Sequence, residues 1–241
     1  MKYLYRTYQL LICLPLFLLS TMLTATVTAL GCALGAVNFF GYHPGRLWSK
    51  LTIRSLLLPM RVEGREHLRD GQSYVFVANH QGAFDIFIIY GYLGRNFKWL
   101  MKQALRKVPF VGIACEYARH IFVDKSSPGK VKQTYERART ILRGGMSVVV
   151  FPEGSRSRTG SMSRFQRGAF MLADELQLPI VPLTINGSFK VLPRQRDGHF
   201  ITWHPLTLTI HKPIMPTGQG AENVQQTMKM SYEAIEKSLK A

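Results

Sequence analysis

The chain has 241 residues and carries 31 Lys plus Arg against 14 Asp plus Glu, a formal net charge of +17. This length favours one domain, with at most a short appendage. A hydrophobic fraction of 46% supplies material for a packed core and argues against intrinsic disorder. Its three cysteines, Cys13, Cys32 and Cys115, are too scattered for a disulfide scaffold and include no Cys-x-x-Cys pair for zinc.

The N-terminal region is apolar in its middle and basic at both ends. No Asp, Glu, Lys or Arg occurs in the 39 residues between Arg6 and Arg46, and segment 10–40 consists mainly of Leu, Ala, Val, Phe and small residues. Because about 20 apolar residues span a bilayer, this segment predicts a membrane anchor. We therefore expect an anchor over residues 1–45 and one folded domain over 46–241.

The anchor admits three interpretations. Pro15, Gly31 and Gly35 suit two short, closely packed helices that enter one leaflet and return, and basic residues flank both ends of the segment. This membrane-anchoring helical hairpin is the favoured interpretation. A single tilted span is the second, and a cleaved signal peptide ending near Ala29 is the third.

From residue 46 onward, short apolar runs alternate with helical patterns. Residues 46–60 predict a basic amphipathic helix. The runs are continuously apolar, as in a sheet that is covered on both faces, so the expected fold is α/β with a mixed central sheet flanked by helices. The predicted strands are 73–78, 121–123, 147–151, 180–185 and 206–210, and the predicted helices are 84–93, 131–143, 168–176 and 222–239.

A histidine and an aspartate follow the first of these strands. His80 and Asp85 are five residues apart, which on one continuous helix would separate them by about 140°. If a turn through Gly82 and Ala83 comes before the helix, the two side chains can meet. The carboxylate would then hold one ring nitrogen and leave the other to accept a proton. The alternative is a polar turn that Asp85 merely caps.

Hydroxyl and guanidinium groups follow another predicted strand. Gly154 permits a tight turn after strand 147–151, and Ser155 and Arg156 would then present donors that suit a phosphate. A solvated basic loop is the alternative. Lys102 begins a further basic stretch, which by itself indicates only surface charge.

Together these segments resemble the glycerolipid acyltransferases, most closely the bacterial 1-acyl-glycerol-3-phosphate acyltransferases. The resemblance covers about residues 61–213 and departs mildly at Ser155, where threonine is common, and at 123–125, where Ile-Asp-Arg is common. Four blocks match in order: NHQGAFD at 79–85, KQALRKVPFVG at 102–112 with IFVDK at 121–125, FPEGSRS at 151–157, and VPLTING at 181–187.

The resemblance implies the glycerolipid acyltransferase fold and a role for each matching residue. His80 would be the general base on the acceptor hydroxyl and Asp85 its orienting partner, with direct transfer from a thioester and no covalent acyl-enzyme. Lys102 and Arg156 would bind the acceptor phosphate, beside Ser155, and Glu153 and Gly154 would shape that turn. Acyl-CoA or acyl-acyl carrier protein would be the donor substrate, with no bound cofactor.

The leading function is therefore acylation of 1-acyl-glycerol-3-phosphate to phosphatidic acid in phospholipid biosynthesis, at the cytoplasmic face of a bacterial inner membrane rich in anionic lipid. One alternative is another lysolipid or an amino-acid lipid as acceptor. A second is a membrane-tethered basic module without catalysis, although the chain has no recognisable nucleic-acid motif. His199, His204 and His211 lack the spacing of metal ligands, and no metal site is expected.

Overall fold

Within residues 2–124, 126–196 and 199–240, which the computed structural model describes, seven strands form one sheet. Their order across the sheet is β1-β7-β6-β2-β5-β3-β4. All neighbours are parallel except β6 and β7, so the expected mixed sheet is confirmed. The strands are β1 (Met60–Glu63), β2 (Val75–Ala78), β3 (Phe97–Lys102), β4 (Ile121–Val123), β5 (Ser147–Val150), β6 (Ile180–Asn186) and β7 (Leu206–Ile210).

The central strands are continuously apolar because both of their faces are covered. Every residue of β2, β5 and β6 is buried, whereas burial alternates along β7. The five predicted strands are all present, with bounds within two residues of those expected. Strands β1 and β3 are additional. Lys98 and Lys102 interrupt the apolar pattern of β3. Strand β1 is the outermost strand, and only its first residue, Met60, falls in the segment 46–60 that predicts an amphipathic helix.

Helices cover both faces of the sheet, as expected, and each face has its own core. On one face Phe76 and Val149 pack with Ile53 and Ile88. On the other face, the strand residues next to Phe76 and Val149 pack with α7, α8 and α10. The helices are α1 (Lys2–Tyr8), α2 (Leu14–Ala33), α3 (Val37–Phe40), α4 (His43–Ser55), α5 (Asp85–Tyr92), α6 (Val111–Tyr117), α7 (Pro128–Arg143), α8 (Gly168–Glu175), α9 (Ser188–Val191) and α10 (Ala221–Ser238).

The N-terminal segment forms one uninterrupted helix, Lys2–Ala33, in which a π-helical turn at Gln9–Cys13 joins α1 to α2. That turn directly precedes the first turn of α2, which contains Pro15; the proline ring lacks an amide hydrogen and crowds the turn before it. In the described part of the chain this is the one helix long and apolar enough to cross a bilayer. Leu19, Leu23 and many of its other large apolar side chains are exposed, so it is the candidate membrane anchor.

A helical hairpin is present, but it is not the expected pair of short helices within the apolar segment, because one long helix occupies most of that segment. The chain continues as helix through most of the apolar run, turns at Gly35 (φ +94°) and returns as the amphipathic helix α4. The indole nitrogen of Trp48 donates a hydrogen bond to Thr21 Oγ1 (2.9 Å), and the Tyr8 hydroxyl donates one to the Ser55 carbonyl (2.7 Å). The expected boundary at 45/46 therefore falls inside α4, which packs on both the long helix and the sheet.

Candidate active site

The predicted site residues follow strands whose carboxyl ends lie at one edge of the sheet. Strand β2 pairs in parallel with β5 and β6, and β3 pairs in parallel with β5, so all four strands end on the same side. Turn 79–85 follows β2, turn 151–157 follows β5, and Lys102 is the last residue of β3. Crevices at the carboxyl ends of parallel strands are the usual ligand sites of open α/β sheets.

Asn79 fixes the start of the turn after β2. Its side-chain amide donates to the carbonyl of Ile185 (2.9 Å), and its side-chain oxygen accepts from the amide of the same residue (2.8 Å). Asn79 is completely buried, so these two bonds extend the β2–β6 pairing by one position beyond Ala78. Asn79 belongs to the matching NHQGAFD block, but no pattern in the sequence predicted this role.

The turn brings His80 and Asp85 together, with 2.7 Å between His80 Nδ1 and Asp85 Oδ2. The same oxygen accepts hydrogen bonds from the backbone amides of Gln81 (2.6 Å) and Gly82 (3.0 Å). Asp85 is the first residue of α5 and is completely buried. Because Nδ1 faces a carboxylate, the neutral ring places its proton on Nδ1, and Nε2 is left with the lone pair that can accept a proton.

Gly82 allows this turn to lie against the start of α9. A side-chain carbon at position 82 would lie 2.4 Å from Ser188 Oγ and 2.5 Å from the Ser188 carbonyl oxygen, so only glycine fits there. The amide of Ala83 donates to the Leu192 carbonyl (3.3 Å). The glycine that sequence reasoning expected for the turn therefore also provides close contact with the segment after β6.

Two aromatic rings determine the plane of the imidazole. The Phe151 ring stacks on His80 with 3.9 Å between ring centroids and 11° between planes, and Trp99 stacks on Phe151 at 5.7 Å and 20°. Phe151 covers one face of the ring, and the His80 side chain as a whole is 15% exposed. Phe151 belongs to the matching FPEGSRS block, but nothing in the sequence pattern indicated Trp99.

Both backbone groups of His80 are held by the turn after β5. The amide donates to Glu153 Oε1 (2.7 Å), and the carbonyl accepts from the amide of Ser157 (2.7 Å). The other carboxylate oxygen of Glu153 accepts from the amide (2.8 Å) and the hydroxyl (3.0 Å) of Ser163. Glu153 is buried and its oxygens face protein donors, an arrangement that shapes the turn and positions His80.

Burial raises the pKa of Glu153 above its ordinary value, and the hydrogen bonds from Ser163 and His80 act in the opposite direction. Burial disfavours the ionised carboxylate, whereas donated hydrogen bonds favour it. The Ser163 and His80 donors therefore partly compensate for placing a carboxylate inside the protein. The His80 amide is one of these donors, so the position of the histidine and the charge of Glu153 depend on each other.

A polar concavity of about 330 Å³ lies beside this turn. Gly154 has φ +74°, in the left-handed region that favours glycine, and the chain then continues into the lining of the concavity. Arg194, from the segment after β6, joins the lining, a contribution that the sequence motifs did not indicate. The lining residues are Ser155, Arg156, Ser157, Arg158, Thr159, Ser161, Met162, Ser163 and Arg194.

Lys102 is exposed at the end of β3, at the same sheet edge. Trp99 pairs with Val149, so continuation of this register places Lys102 level with Pro152, four residues before Arg156. Topology therefore places the two predicted phosphate ligands on adjacent strand ends. Lys125, the last residue of the IFVDK block, lies outside the described residues.

Other ionisable groups near the sheet have environments that oppose their charged forms. Burial is the main cause that lowers the pKa of His120 to about 3 and that of Lys98 to about 8, and burial raises the pKa of the Cys115 thiol to about 12. His120 Nδ1 accepts the amide of Trp99 (3.2 Å), so His120 has a structural role in the core. Among the residues described, no group of three or more His, Cys, Asp or Glu side chains could hold a metal ion.

A His–Asp pair can transfer a proton, and a neighbouring concavity lined by arginines suits an anion. A family model described as Acyltransferase matches residues 59–186, more than half of the chain, and this range contains the His–Asp turn and the turn after β5. The chain belongs to this acyltransferase family.

Curated relatives specify the kind of acyltransferase to which the chain is similar. It is 30% identical over 176 residues to the 1-acyl-sn-glycerol-3-phosphate acyltransferase LPAT1, chloroplastic, of Arabidopsis thaliana, an alignment covering 73% of this chain and 49% of the relative. It is 38% identical over 128 residues to the 1-acyl-sn-glycerol-3-phosphate acyltransferase alpha of Homo sapiens, covering 53% of this chain and 45% of the relative. The chain spans about half the length of the curated relatives it matches.

A solved structure has the same fold. The crystal structure of the 1-acyl-sn-glycerophosphate acyltransferase PlsC from Thermotoga maritima superposes with a TM-score of 0.71 at 24% sequence identity, covering 94% of this chain and 96% of that chain. The expected glycerolipid acyltransferase fold is therefore confirmed, including the mixed sheet and the helices that flank it.

The bonds of Glu153 generate a prediction for acyl transfer. In Glu153→Gln the side-chain oxygen can face only one of its two donor groups, and the amide nitrogen then opposes the other N–H. We expect kcat to fall about 10- to 100-fold, the range for a misplaced reacting group, with little change in KM for the acyl donor. Steady-state kinetics and thermal unfolding of the purified variant would measure both effects.

Ser163→Ala is the matched control, because it removes one hydroxyl donor to Glu153 and keeps the Ser163 amide. Its kcat should stay close to that of the wild type. A purely structural role for Glu153 would lower the unfolding temperature of Glu153→Gln and leave kcat of the folded fraction unchanged, contrary to the expected result.

Proposed function

We propose that this chain transfers a fatty acyl group from an acyl thioester to the free hydroxyl of 1-acyl-glycerol-3-phosphate and so produces phosphatidic acid for phospholipid biosynthesis. The observation that supports this most directly is the 2.7 Å contact of His80 with Asp85, at the same sheet edge as the concavity lined by Arg156. The relatives are named for the same acceptor.

His80 is the general base of the proposed reaction. Asp85 holds Nδ1–H and fixes the tautomer, so Nε2 accepts the proton of the acceptor hydroxyl as its oxygen attacks the thioester carbonyl carbon. When the imidazole becomes an imidazolium, the buried Asp85 carboxylate stabilises its positive charge. General-base assistance of this kind is worth about 10²- to 10⁴-fold in rate.

The second half of the reaction returns the proton. The tetrahedral intermediate collapses, the carbon–sulfur bond breaks, and the thiolate leaves with the proton that His80 Nε2 had accepted. The products are the new ester and a free thiol, and the histidine is neutral again. Since a thioester is already activated and proximity supplies much of the rate, the proposed mechanism needs no enzyme nucleophile and no covalent acyl-enzyme.

Arg156 and Lys102 are the proposed ligands of the acceptor phosphate. A guanidinium offers a planar pair of donors to phosphate oxygens, and a lysine ammonium adds a compact charge. Ser155 Oγ offers a further donor in the same concavity, and Gly154 permits the turn that exposes these groups. When the acceptor phosphate is bound by Arg156 and Lys102, the glycerol hydroxyl of the acceptor would lie towards His80. His80 follows β2, which is two strands away from β3 and Lys102.

The donor is acyl-CoA or acyl-acyl carrier protein, both of which present a thioester on an anionic molecule. The net charge of +17 attracts either donor and also favours a surface of anionic lipid. The exposed apolar helix Lys2–Ala33 would hold the site at the bilayer that contains the lipid acceptor. The cytoplasmic face of a bacterial inner membrane is the proposed location.

A panel of acceptors tests this function. Purified chain in mixed micelles would be incubated with labelled acyl-CoA, and separately with labelled acyl-acyl carrier protein, together with lysophosphatidic acid, monoacylglycerol, another lysophospholipid or an amino-acid lipid. We expect phosphatidic acid as the main product, and little transfer to monoacylglycerol because it lacks the phosphate. Equal transfer to another acceptor would replace the substrate in this proposal, and no transfer to any acceptor would favour a binding module.

Replacement of the base should remove activity without unfolding the protein. His80→Ala deletes the proposed proton acceptor, so we expect kcat to fall at least about 10²-fold while the protein remains folded. The control is His67→Ala, which removes a half-buried imidazole after β1, at the opposite edge of the sheet. A folded His80→Ala protein with wild-type kcat would refute the assignment.

Removal of the proposed phosphate ligand should act on the acceptor. Arg156→Ala should raise KM for lysophosphatidic acid about 10-fold or more, as expected for loss of a charge-assisted hydrogen bond, and leave KM for the acyl donor nearly unchanged. Arg143→Ala is the control, because Arg143 ends α7 just before the opposite end of β5 and is exposed. An equal rise in both KM values would show that Arg156 does not distinguish the acceptor.

A further inference from the structure

The loop before β7 exposes two aromatic side chains. In segment 199–205, Phe200 is 42% and Trp203 is 51% exposed, and the neighbouring Leu57 is 62% exposed. The indole nitrogen of Trp203 donates to the Leu57 carbonyl (2.8 Å), so its polar group is satisfied within the protein and the exposed part of the ring is apolar. Two exposed aromatics on one short loop are unusual for a surface that contacts only water.

The loop is attached to the beginning of the N-terminal helix. Gln9 donates from its side chain to the Ile201 carbonyl (2.9 Å) and accepts from the Ile201 amide (2.9 Å). The guanidinium of Arg6 lies over the Phe200 ring, 5.4 Å from its centroid. The loop is therefore continuous with the exposed apolar surface of the candidate anchor, which begins with Tyr3 and Leu4.

The surroundings of the loop are basic. Segment 187–205 contains Lys190, Arg194 and Arg196 against one acid, Asp197, and the adjoining first turns of the helix contain Lys2 and Arg6. Exposed aromatics beside arginines and lysines match the boundary of an anionic bilayer, where an indole ring sits among headgroups and basic side chains meet lipid phosphates.

We infer that segment 199–205 is a second membrane contact, which places Phe200 and Trp203 among the headgroups of an anionic bilayer beside the N-terminal helix. This contact is independent of the proposed acyl transfer. Its occupant is the lipid surface itself, because the aromatic patch continues an exposed apolar helix and is bordered by positive charge.

The same segment connects this contact to the His80 turn. The amide of Thr202 donates to the Val191 carbonyl (3.0 Å), and the next residue, Leu192, accepts the amide of Ala83 (3.3 Å). Pro193 forms a β-bridge with Gly82. The membrane contact and the turn that holds His80 are thus joined through a few residues, so the loop sets the height of the candidate active site above the bilayer.

Tryptophan fluorescence of the full chain tests this inference without any assay of activity. Wild type and Trp203→Phe would be reconstituted into vesicles of phosphatidylcholine and phosphatidylglycerol, and the difference between their emission spectra isolates Trp203 from Trp48 and Trp99. We expect this difference emission to be blue-shifted, quenched by phospholipid brominated near the headgroup, and protected from aqueous acrylamide.

A second experiment compares substitutions at two apolar residues that are exposed to the same extent. Phe200→Asp should weaken the quenching of Trp203 by brominated lipid, whereas Met230→Asp should not, because Met230 is 43% exposed on α10, which packs on the opposite face of the sheet. Trp203 emission quenched by acrylamide and not by brominated lipid would overturn the inference. Protection from both quenchers together with a dimer after cross-linking would also overturn it, and would assign the patch to a second copy of the chain.

Discussion

The candidate site depends on the way one residue, His80, is held by two turns that follow adjacent parallel strands. The turn after β2 supplies Asp85, which bonds the imidazole, and the turn after β5 supplies Glu153 and Ser157, which bond the His80 amide and carbonyl. Strand register determines the relative height of the two turns, because Val77 pairs with Val150 directly before them. Correct pairing of these two buried strands therefore brings the two turns to the same level of the sheet.

This arrangement explains how a reaction without an enzyme nucleophile would be accelerated. In the proposed transfer the thioester already has a good leaving group, so the protein would need only to fix the acceptor hydroxyl, orient a base and support the charge that develops on that base. Stacking of Phe151 on the imidazole and the amide donors on Asp85 hold the ring and the carboxylate before substrate binds. Groups that are already in place lose little conformational freedom during the reaction. The buried polar residues of this site are compatible with function because they hold those groups in place.

Sequence patterns predicted the features that depend only on neighbouring residues along the chain. The buried strands β2, β5 and β6 are continuous apolar runs, and the need for a turn between His80 and Asp85 follows from helix geometry alone. Strand β3 was missed because Lys98 breaks its apolar pattern, and the side chain is buried only through packing of distant segments. The contacts of Trp99, Asn79 and Ser163 depend on neighbours across the sheet or in another turn, which no local pattern specifies.

The pairing of helices in the N-terminal hairpin also depends on contacts that no local sequence pattern specifies. Hydropathy predicted an apolar segment, but which helix would pair with it depends on specific contacts, such as the hydrogen bond from Trp48 to Thr21. Because α4 packs at once on the long helix and on the sheet core through Ile53, the anchor and the domain share one set of contacts. The proposed reaction, with its acceptor in a bilayer, would gain from such coupling: packed side chains would set the distance between membrane and imidazole, and the lipid acceptor would need only lateral diffusion to reach the site.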